Sequence, residues 1–342
     1  MRALVLDRTR GLHMRQVPVP RPKAGEVLIR TAFTGISSTD RGIYQGAPGS
    51  IEANLPIILG HESCGTVAAI GTRSVTLADG DQAAEGDRVA VDPNITCHRC
   101  DYCRNGRPEL CRHLAVIGVT RGGGMAEYFS APAEVVYRLP DRLEFLESTA
   151  IGPLSCALHG IRCLDLRPNQ RALIVGDGFM AQLFAQLLRI QGIFQIDMVG
   201  LSETKLARGK ALNNLHAVYR SDKRRQTPPR DHYDLVIEAV GVPAAETMAI
   251  KACRRGAQVL MFGVGRPDAR FTMNAYDIYR KELTIKGSFS NPCSFGDAIS
   301  LLASARLDIA GLVTHILSLE QVPDLMSGSI GGVIKAVVAF GD

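Results

Sequence analysis

The chain has 342 residues, a net charge of +5, 46% apolar and 21% charged residues, proportions that are ordinary for a globular protein of about two domains. The densest basic stretch, Arg220–Arg230, contains no aromatic residue, which argues against nucleic-acid binding and indicates a solvated loop. No apolar run is long enough for a membrane span and no signal-peptide pattern opens the chain, so we expect a cytoplasmic protein without a membrane partner.

The first 140 residues predict β-structure. A hairpin is expected between Met1–Arg8 and Leu12–Val17, and Gly25–Arg30 and Thr31–Ile36 continue as strands. Short strands then alternate with glycine or proline turns as far as Pro140. This pattern is typical of an all-β domain of barrel-like form.

A cluster of cysteines interrupts this β-structure with the spacing C-x2-C-x2-C-x7-C, formed by Cys97, Cys100, Cys103 and Cys111. Four thiolates complete a tetrahedral zinc site and leave no open position for water, so the cluster predicts a structural zinc. An iron–sulfur cluster is the alternative. His98 and His113 lie beside the cysteines, and we expect them to be surface residues rather than ligands.

The stretch Arg171–Met198 predicts a strand, a glycine-rich turn, a helix and a second strand. Gly176, Gly178 and Ala181 form the pattern G-x-G-x-x-A. The first glycine permits a tight turn, the second lets the backbone approach a pyrophosphate, and the alanine lets the helix pack on the strand. The N-terminus of the helix, at Phe179-Met180, offers N–H groups to phosphate. This unit predicts a dinucleotide site.

Strands and helices keep alternating after this unit. Leu235–Ala239, Gln258–Phe262 and Leu283–Lys286 have the apolar character of buried strands, which predicts a doubly wound parallel sheet. Ser294–Ala305 predicts a helix. Gly331–Phe340 predicts a last strand that returns to the β domain.

The residues after the second strand indicate which dinucleotide is bound. A site that prefers NAD places Asp or Glu about twenty residues after the glycines, on the ribose 2′-OH, and Gly200 occupies that position. Glu203 falls too far along, in the next helix. Ser202, Lys205 and Arg208 can receive a 2′-phosphate, although a solvated helix face would also contain the two cations. We therefore expect NADP(H) to be favoured over NAD(H).

Taken together, the motifs resemble those of the zinc-type medium-chain alcohol and polyol dehydrogenases over nearly the whole chain. The matching segments are Gly25–Ile29, Gly35–Asp40, Gly60–Glu62, Glu85–Val89, the cysteine cluster, Gly124–Tyr128, Glu238–Gly241, Lys281–Leu283 and Gly287–Phe289. The resemblance implies an α/β plus β fold. A GroES-like β-barrel catalytic domain would cover residues 1–148 and 290–342, with the metal lobe at 94–113, and a Rossmann coenzyme domain with a doubly wound parallel sheet would cover residues 149–289.

The resemblance also implies an NAD(P)-dependent oxidoreductase that acts on a small-molecule substrate. It implies further coenzyme contacts at Val240, Gly241, Val264, Ser288 and Phe289. Family members commonly pair through the coenzyme-domain sheet, so we expect a homodimer or homotetramer.

The chain departs from the family at the catalytic zinc. The family's ligands are a Cys in G-[IV]-C-G-[ST]-D, the His and Glu of G-H-E, and a Glu in E-P-L. Here the Cys position is Ser37 and the Glu of E-P-L is Gly152, whereas His61 and Glu62 are kept. A neutral hydroxyl is a poor zinc ligand and glycine offers none, so we expect no catalytic zinc.

Rescue of this site by Cys64 or Cys156 stays open, although both are residues that pack well in a core. Loss of the metal forfeits on the order of 10 kcal/mol of alkoxide stabilisation in alcohol oxidation. An activated C=N or C=C bond needs only a proton donor. The candidate catalytic residues are Ser37, Thr39, Tyr44, His61 and Glu62.

Some of these side chains also have a structural alternative, namely backbone hydrogen bonding for Ser37 and Thr39, pairing with Asp40 for His61, and packing for Tyr44.

Three functions stay open at this point. The first is an NADP(H)-dependent reductase without catalytic zinc. The second is an alcohol, polyol or sugar dehydrogenase with a modified metal site. The third is a nucleotide-binding protein without turnover.

Overall fold

The computed structural model describes residues 1–47, 51–71, 74–222 and 227–341. The chain forms two compact units. The β unit comprises Met1–Ser155, Pro292–Ala305 and Val313–Asp342, and the α/β unit comprises Cys156–Asn291 and Arg306–Leu312. These bounds differ from the predicted domain limits at residues 148 and 290, because the division falls inside a helix and the α/β unit includes a short segment after residue 305.

Short strands dominate the first part of the chain, and strands alternate with helices in the second part. In chain order, the strands are β1 (Arg2–Leu6), β2 (Leu12–Gln16), β3 (Glu26–Ile36), β4 (Ile57–Ile58), β5 (Glu62–Ile70), β6 (Arg88–Val91), β7 (Asn94–Ile95), β8 (Ala115–Val116), β9 (Tyr128–Pro132), β10 (Val136–Arg138), β11 (Arg171–Val175), β12 (Gln195–Gly200), β13 (Ala217–Arg220), β14 (Tyr233–Glu238), β15 (Cys253–Met261), β16 (Thr284–Gly287), β17 (Val313–Leu317) and β18 (Lys335–Ala339). The helices are α1 (Ser38–Tyr44), α2 (Asp101–Arg104), α3 (Phe145–Ser148), α4 (Ile151–Arg162), α5 (Phe179–Ile190), α6 (Glu203–Asn213), α7 (Pro243–Ala252), α8 (Ala275–Lys281), α9 (Phe295–Ala303) and α10 (Val322–Ser327). None of the described helices is both long and apolar enough to cross a membrane.

The β unit is built on two main sheets. The smaller has the strand order β2-β1-β4, and the larger has the order β10-β6-β5-β3-β18-β17 with β9 also paired to β3. The hairpin of β1 and β2 confirms the first prediction. The last strand, β18, lies antiparallel beside β3, with Ala336 opposite Ile36, which confirms the predicted return to the β domain. The predicted strands Gly25–Arg30 and Thr31–Ile36 are one continuous strand.

An apolar cluster of the β unit holds α1 in place. Ile43 on α1 is fully buried, and it belongs to the same cluster as Ile36 at the end of β3, Leu59 and Met125. Burial of one such side chain contributes about 1.5–3 kcal/mol. Tyr44 is partly buried and packs against this cluster. The packing fixes α1 directly after β3, which brings the start of α1 close to the segment that precedes β5.

The α/β unit contains one sheet of parallel strands in the order β13-β12-β11-β14-β15-β16. Its central strand β11 is buried from Ala172 to Val175, because helices cover both faces of such a sheet. Leu183, Leu187 and Leu188 of α5 are buried as their spacing predicts. The doubly wound parallel sheet is therefore confirmed.

The predicted solvated loop begins at Ser221, one residue later than expected. Arg220 ends β13, an edge strand whose residues are all half-buried, and such a strand lacks the apolar run that marks a buried one. Its guanidinium binds Asp222 at 2.6 Å and Glu203 at 3.1 Å. The basic residues at 223–225 lie outside the described residues.

Candidate active site

The turn after β11 has the form that a pyrophosphate requires. Gly176 has a φ of +131°, a conformation that favours glycine. Gly178 is the N-cap of α5 and makes no side-chain capping bond, and a Cβ added there would meet no atom within 4 Å. A Cβ on Gly176 would lie 3.6 Å from the Cβ of Ala181, which is the close approach of helix and strand expected at this position. The turn and the start of α5 fit a dinucleotide phosphate.

Two further loops meet at the carboxyl ends of β14 and β15. Glu238 at the end of β14 is almost fully buried, and its Oε1 accepts the N–H groups of Val240 and Gly241, both at 2.8 Å. A Cβ on Gly241 would lie 2.5 Å from the carbonyl carbon of Val264. Val264 is 76% exposed. The sheet therefore presents apolar side chains at the edge where open α/β sheets bind their ligands.

The hydrogen bonds by which Glu238 holds the turn after β14 were not predicted from the sequence. The Oε2 of Glu238 has no hydrogen-bond partner among the described residues, and burial raises the pKa of this carboxyl. Ser288 and Phe289 follow β16, the strand beside β15. The structure thus brings together the predicted coenzyme residues Val240, Gly241 and Val264, and places Ser288 and Phe289 at the end of the next strand.

The end of β12 differs in detail from the prediction. The Oγ of Ser202 accepts the backbone N–H of Lys205 at 3.4 Å as the N-cap of α6, so this hydroxyl has a structural role. Arg208 donates to the carbonyl of Gly311. Lys205 is half-buried. Among the three predicted phosphate partners, Lys205 is the side chain to which the described part of the chain gives no other role.

In the β unit, Ser37 is the N-cap of α1 and forms a capping box with Asp40. The Oγ of Ser37 donates to Asp40 Oδ2 at 2.8 Å and accepts the Asp40 backbone N–H at 3.1 Å. This confirms the structural alternative for Ser37. Thr39 lies half-buried in the first turn of the same helix. The side chains of Ser37, Thr39 and Tyr44 thus belong to one short segment.

The carboxylate of Asp40 also faces His61. Asp40 is fully buried, and its Oδ1 lies 3.3 Å from the Nδ1 of His61. Burial on its own would lower the pKa of His61, but the neighbouring carboxylates of Asp40 and Glu62 together outweigh it and leave that pKa raised. Burial also opposes the charge on Asp40, yet His61 and the bonds from Ser37 leave the pKa of Asp40 lowered. The pair therefore favours a charged imidazolium next to a carboxylate.

Glu62 forms a buried ion pair with Lys335, a residue that sequence reasoning missed. Lys335 begins β18 and is 3% exposed, and its Nζ binds Glu62 Oε2. Gly35 on β3 lies directly beside this pair, and a Cβ there would collide with both side chains. No local pattern announces the contact, because 273 positions separate the two residues.

The donor atoms of this group do not fit a catalytic zinc. The Oγ of Ser37 is hydrogen-bonded to Asp40, and Gly152 on α4 offers no side-chain donor. The ammonium of Lys335 binds the Glu62 carboxylate, and its positive charge opposes a cation there. The imidazole of His61 remains, whereas three protein ligands are usual for a catalytic zinc.

Of the two nearby cysteines, Cys64 does not complete the set. Cys64 is buried in β5, and its thiol donates to the carbonyl groups of Phe145 at 3.1 Å and Phe33 at 3.6 Å. Burial raises the pKa of Cys64, which disfavours the thiolate that binds metals. Cys156 lies on α4, the helix that carries Gly152, and stays a candidate ligand. The metal set of the family is therefore incomplete in the β unit.

The four clustered cysteines fit a metal far better. The four Sγ atoms all lie within 4.8 Å of one another, and they belong to Cys97, Cys100, Cys103 and Cys111. Backbone N–H groups point at the sulfur atoms, as from Cys100 to Cys97 Sγ at 3.4 Å. Such bonds hold the pKa of Cys100 at about 6. His98 and His113 are exposed, as predicted.

Comparison with known proteins agrees with this architecture. The model of the alcohol dehydrogenase GroES-like domain matches residues 23–141, and that of the zinc-binding dehydrogenases matches residues 180–304. These two models together place the chain among the NAD(P)-dependent oxidoreductases.

The individual relatives that the chain resembles are alcohol and polyol dehydrogenases. The chain is 31% identical to sorbitol dehydrogenase of Bacillus subtilis over 337 residues, which cover 96% of this chain and 94% of the relative. It is 31% identical to D-altritol 5-dehydrogenase of Agrobacterium fabrum, over 90% of each chain. A zinc-binding dehydrogenase of Sinorhizobium meliloti, solved bound to NADP, superposes with a TM-score of 0.91 at 28% identity over 99% of each chain. The chain belongs to the zinc-type medium-chain alcohol and polyol dehydrogenase family.

Proposed function

We propose that this protein is an NADP(H)-dependent reductase that transfers hydride to an activated C=N or C=C bond without a catalytic zinc. The observation that carries the proposal is the state of the family's metal ligands. Ser37 is committed to Asp40, Gly152 has no donor, and Glu62 is paired with Lys335. The residues that bind coenzyme phosphate in the family are kept, so hydride chemistry can persist after the metal site is lost.

The reduced nicotinamide, when bound, supplies the hydride, and the protein must then supply a proton. His61 suits this task, because the carboxylate of Asp40, 3.3 Å from Nδ1, raises its pKa. Its side chain is 15% exposed, so the imidazole is not sealed from solvent. Thr39 in α1 is a second donor. General acid catalysis contributes about 10²–10⁴-fold, much less than zinc does, and this is why the substrate must be activated.

A second function is favoured by the relatives. Two of them are named sorbitol dehydrogenase and D-altritol 5-dehydrogenase, which supports a polyol or sugar alcohol dehydrogenase with a modified metal site. That function requires a metal on His61 and a Glu62 released from Lys335. A nucleotide-binding role without turnover has no such support.

Metal content and chelation separate the two functions. We expect one zinc per chain, and reductase activity with NADPH that survives a chelator strong enough to remove weakly held metal but not the cysteine-bound ion. The double variant Ser37→Cys with Gly152→Glu should bind a second zinc, since it restores the family's ligands. Metal analysis by mass spectrometry and activity assays give both results.

The Ser37→Ala variant with Gly152→Ala is the matched control and should keep one zinc. Activity that disappears on chelation and returns with added zinc would contradict the reductase and establish the dehydrogenase.

The proposed preference for NADP(H) is supported by Lys205. It is also supported by the NADP-bound relative of Sinorhizobium meliloti. We expect Lys205→Ala to weaken NADPH binding by about 10- to 100-fold, because a charge-assisted hydrogen bond contributes about 1.5–3 kcal/mol, and to change NADH binding by less than about twofold. Titration by nicotinamide fluorescence measures both dissociation constants.

Lys210→Ala, an exposed cation in the last turn of the same helix, is the control for a general loss of charge. An equal weakening of NADPH and NADH by Lys205→Ala would remove Lys205 from the 2′-phosphate site.

We also infer a structural zinc at the four clustered cysteines, a homodimer or homotetramer, and a cytoplasmic location. Strand β16 is an edge of its sheet, and Tyr276 and Tyr279 on the preceding helix are 63% and 79% exposed. An unpaired edge with exposed aromatic residues is a natural place for a second copy. A monomeric mass in solution would contradict the oligomer.

The cytoplasmic location is supported by the cysteines. The described cysteines form no disulfide, which fits a reducing compartment.

A further inference from the structure

The acid that is missing at position 200 is supplied in space by Asp177. This residue stands between the two glycines of the turn after β11. A Cβ added to Gly200 would lie 2.5 Å from both the Cβ and the Oδ2 of Asp177. The carboxylate therefore occupies the place where a side chain at position 200 would begin, and glycine is required there because nothing larger fits.

Two backbone bonds hold the carboxylate at this place. The Oδ2 of Asp177 accepts the N–H of Leu201 at 2.8 Å and the N–H of Ser202 at 2.7 Å. These are the donors that directly follow β12, so they are no longer available to a phosphate. The Oδ1 of Asp177 accepts no hydrogen bond from the described residues. One carboxylate oxygen thus remains to accept a hydroxyl proton.

The negative charge of Asp177 is not neutralised by an ion pair within the described part of the chain. Arg220 on β13 is the pairing partner of Gly200, and its guanidinium interacts electrostatically with the carboxylate of Asp177. Its guanidinium, however, binds Asp222 and Glu203. A group placed at the end of β12 therefore meets a carboxylate whose charge is only partly balanced.

We propose that Asp177 reads the 2′ position of the coenzyme's adenosine ribose, favouring the hydroxyl of NAD(H) and opposing the phosphate of NADP(H). In dinucleotide-binding sheets an acid at the end of the second strand accepts the ribose 2′-OH, and here the acid reaches that place from the glycine turn. The proposal rests on the proposed coenzyme binding and refines it. Lys205 attracts the 2′-phosphate and Asp177 repels it, so the two residues together set the preference between the coenzymes.

The test is the ratio of the dissociation constants for NADPH and NADH, measured by fluorescence titration of the full-length protein. Asp177→Asn removes the charge but keeps an oxygen for the N–H groups of Leu201 and Ser202. We expect this variant to shift the ratio about tenfold toward NADPH. Asp177→Ser is a second neutral variant with an acceptor and should shift the ratio in the same direction. Asp165→Asn, an exposed acid before β11, should leave the ratio unchanged.

Asp177→Ala separates charge from loop support. It removes both the charge and the acceptor, so we expect the same shift in the ratio together with weaker binding of both coenzymes. If both coenzymes still bind and the ratio is unchanged in Asp177→Asn and Asp177→Ser, then Asp177 does not read the 2′ position. The proposed coenzyme function would stand in that case. If the unmodified protein binds neither NADPH nor NADH, the proposed coenzyme function and this inference both fail.

Discussion

Replacing Cys103 with alanine is expected to lower the free energy of unfolding of the β unit by roughly 3 kcal/mol or more, a part of the ~10–16 kcal/mol that structural zinc contributes in peptides. The physical reason is the small apolar content of the segment between β7 and β8. Its helix α2 has four residues, none of them buried. Without a metal, little else holds this segment together.

Thermal denaturation and zinc content of the purified variant measure the effect. We expect a lower midpoint and less than one zinc per chain. Cys293→Ala is the control, since Cys293 is exposed and lies outside the cluster. An unchanged midpoint with full zinc content would show that Cys103 is not a ligand, and a disulfide among the four cysteines would rule out the zinc site.

Replacing Lys335 with methionine is expected to destabilise the protein by about 3–5 kcal/mol, because it leaves the buried carboxylate of Glu62 without its counter-ion. The double variant Lys335→Met with Glu62→Leu should recover most of this loss, since neither charge of this buried pair then remains. Urea denaturation of the single and double variants gives the two free energies and their coupling.

Lys251→Met, on the exposed side of α7, controls for the loss of a lysine and should change the free energy of unfolding by less than about 0.5 kcal/mol. A single variant at Lys335 as stable as the unmodified protein would mean that Glu62 finds another partner or takes up a proton at little cost.

The parts of the molecule that were predicted from sequence are those whose residues are neighbours in the chain. The glycine turn spans Gly176–Ala181, and the cysteine cluster spans fifteen positions from Cys97 to Cys111. Their spacing alone restricts the local backbone to a phosphate turn and a metal lobe. The buried strands of the parallel sheet were predicted for a similar reason, since a continuous apolar run marks them.

The residues that were missed either contact a partner far away in the chain or stand at a motif position where any residue is allowed. Lys335 meets Glu62 only because β18 pairs with β3, and Asp177 stands at a position that the glycine pattern leaves variable. Strands β13 and β17 were missed because both lie at the edge of a sheet and include half-buried polar residues. Edge strands carry a weaker sequence signal than central ones.

The pairing of β18 with β3 also sets an order of events during biosynthesis. The ribosome delivers β3 and Glu62 early, then the whole of the α/β unit, and only afterwards Lys335 and β18. Until then one edge of β3 has no neighbour from β18, and Glu62 lacks its cation. The α/β unit has its own contiguous sheet and can fold while the nascent β unit waits for its last strand. The nascent chain thus carries an open strand edge of the kind that chaperones shield.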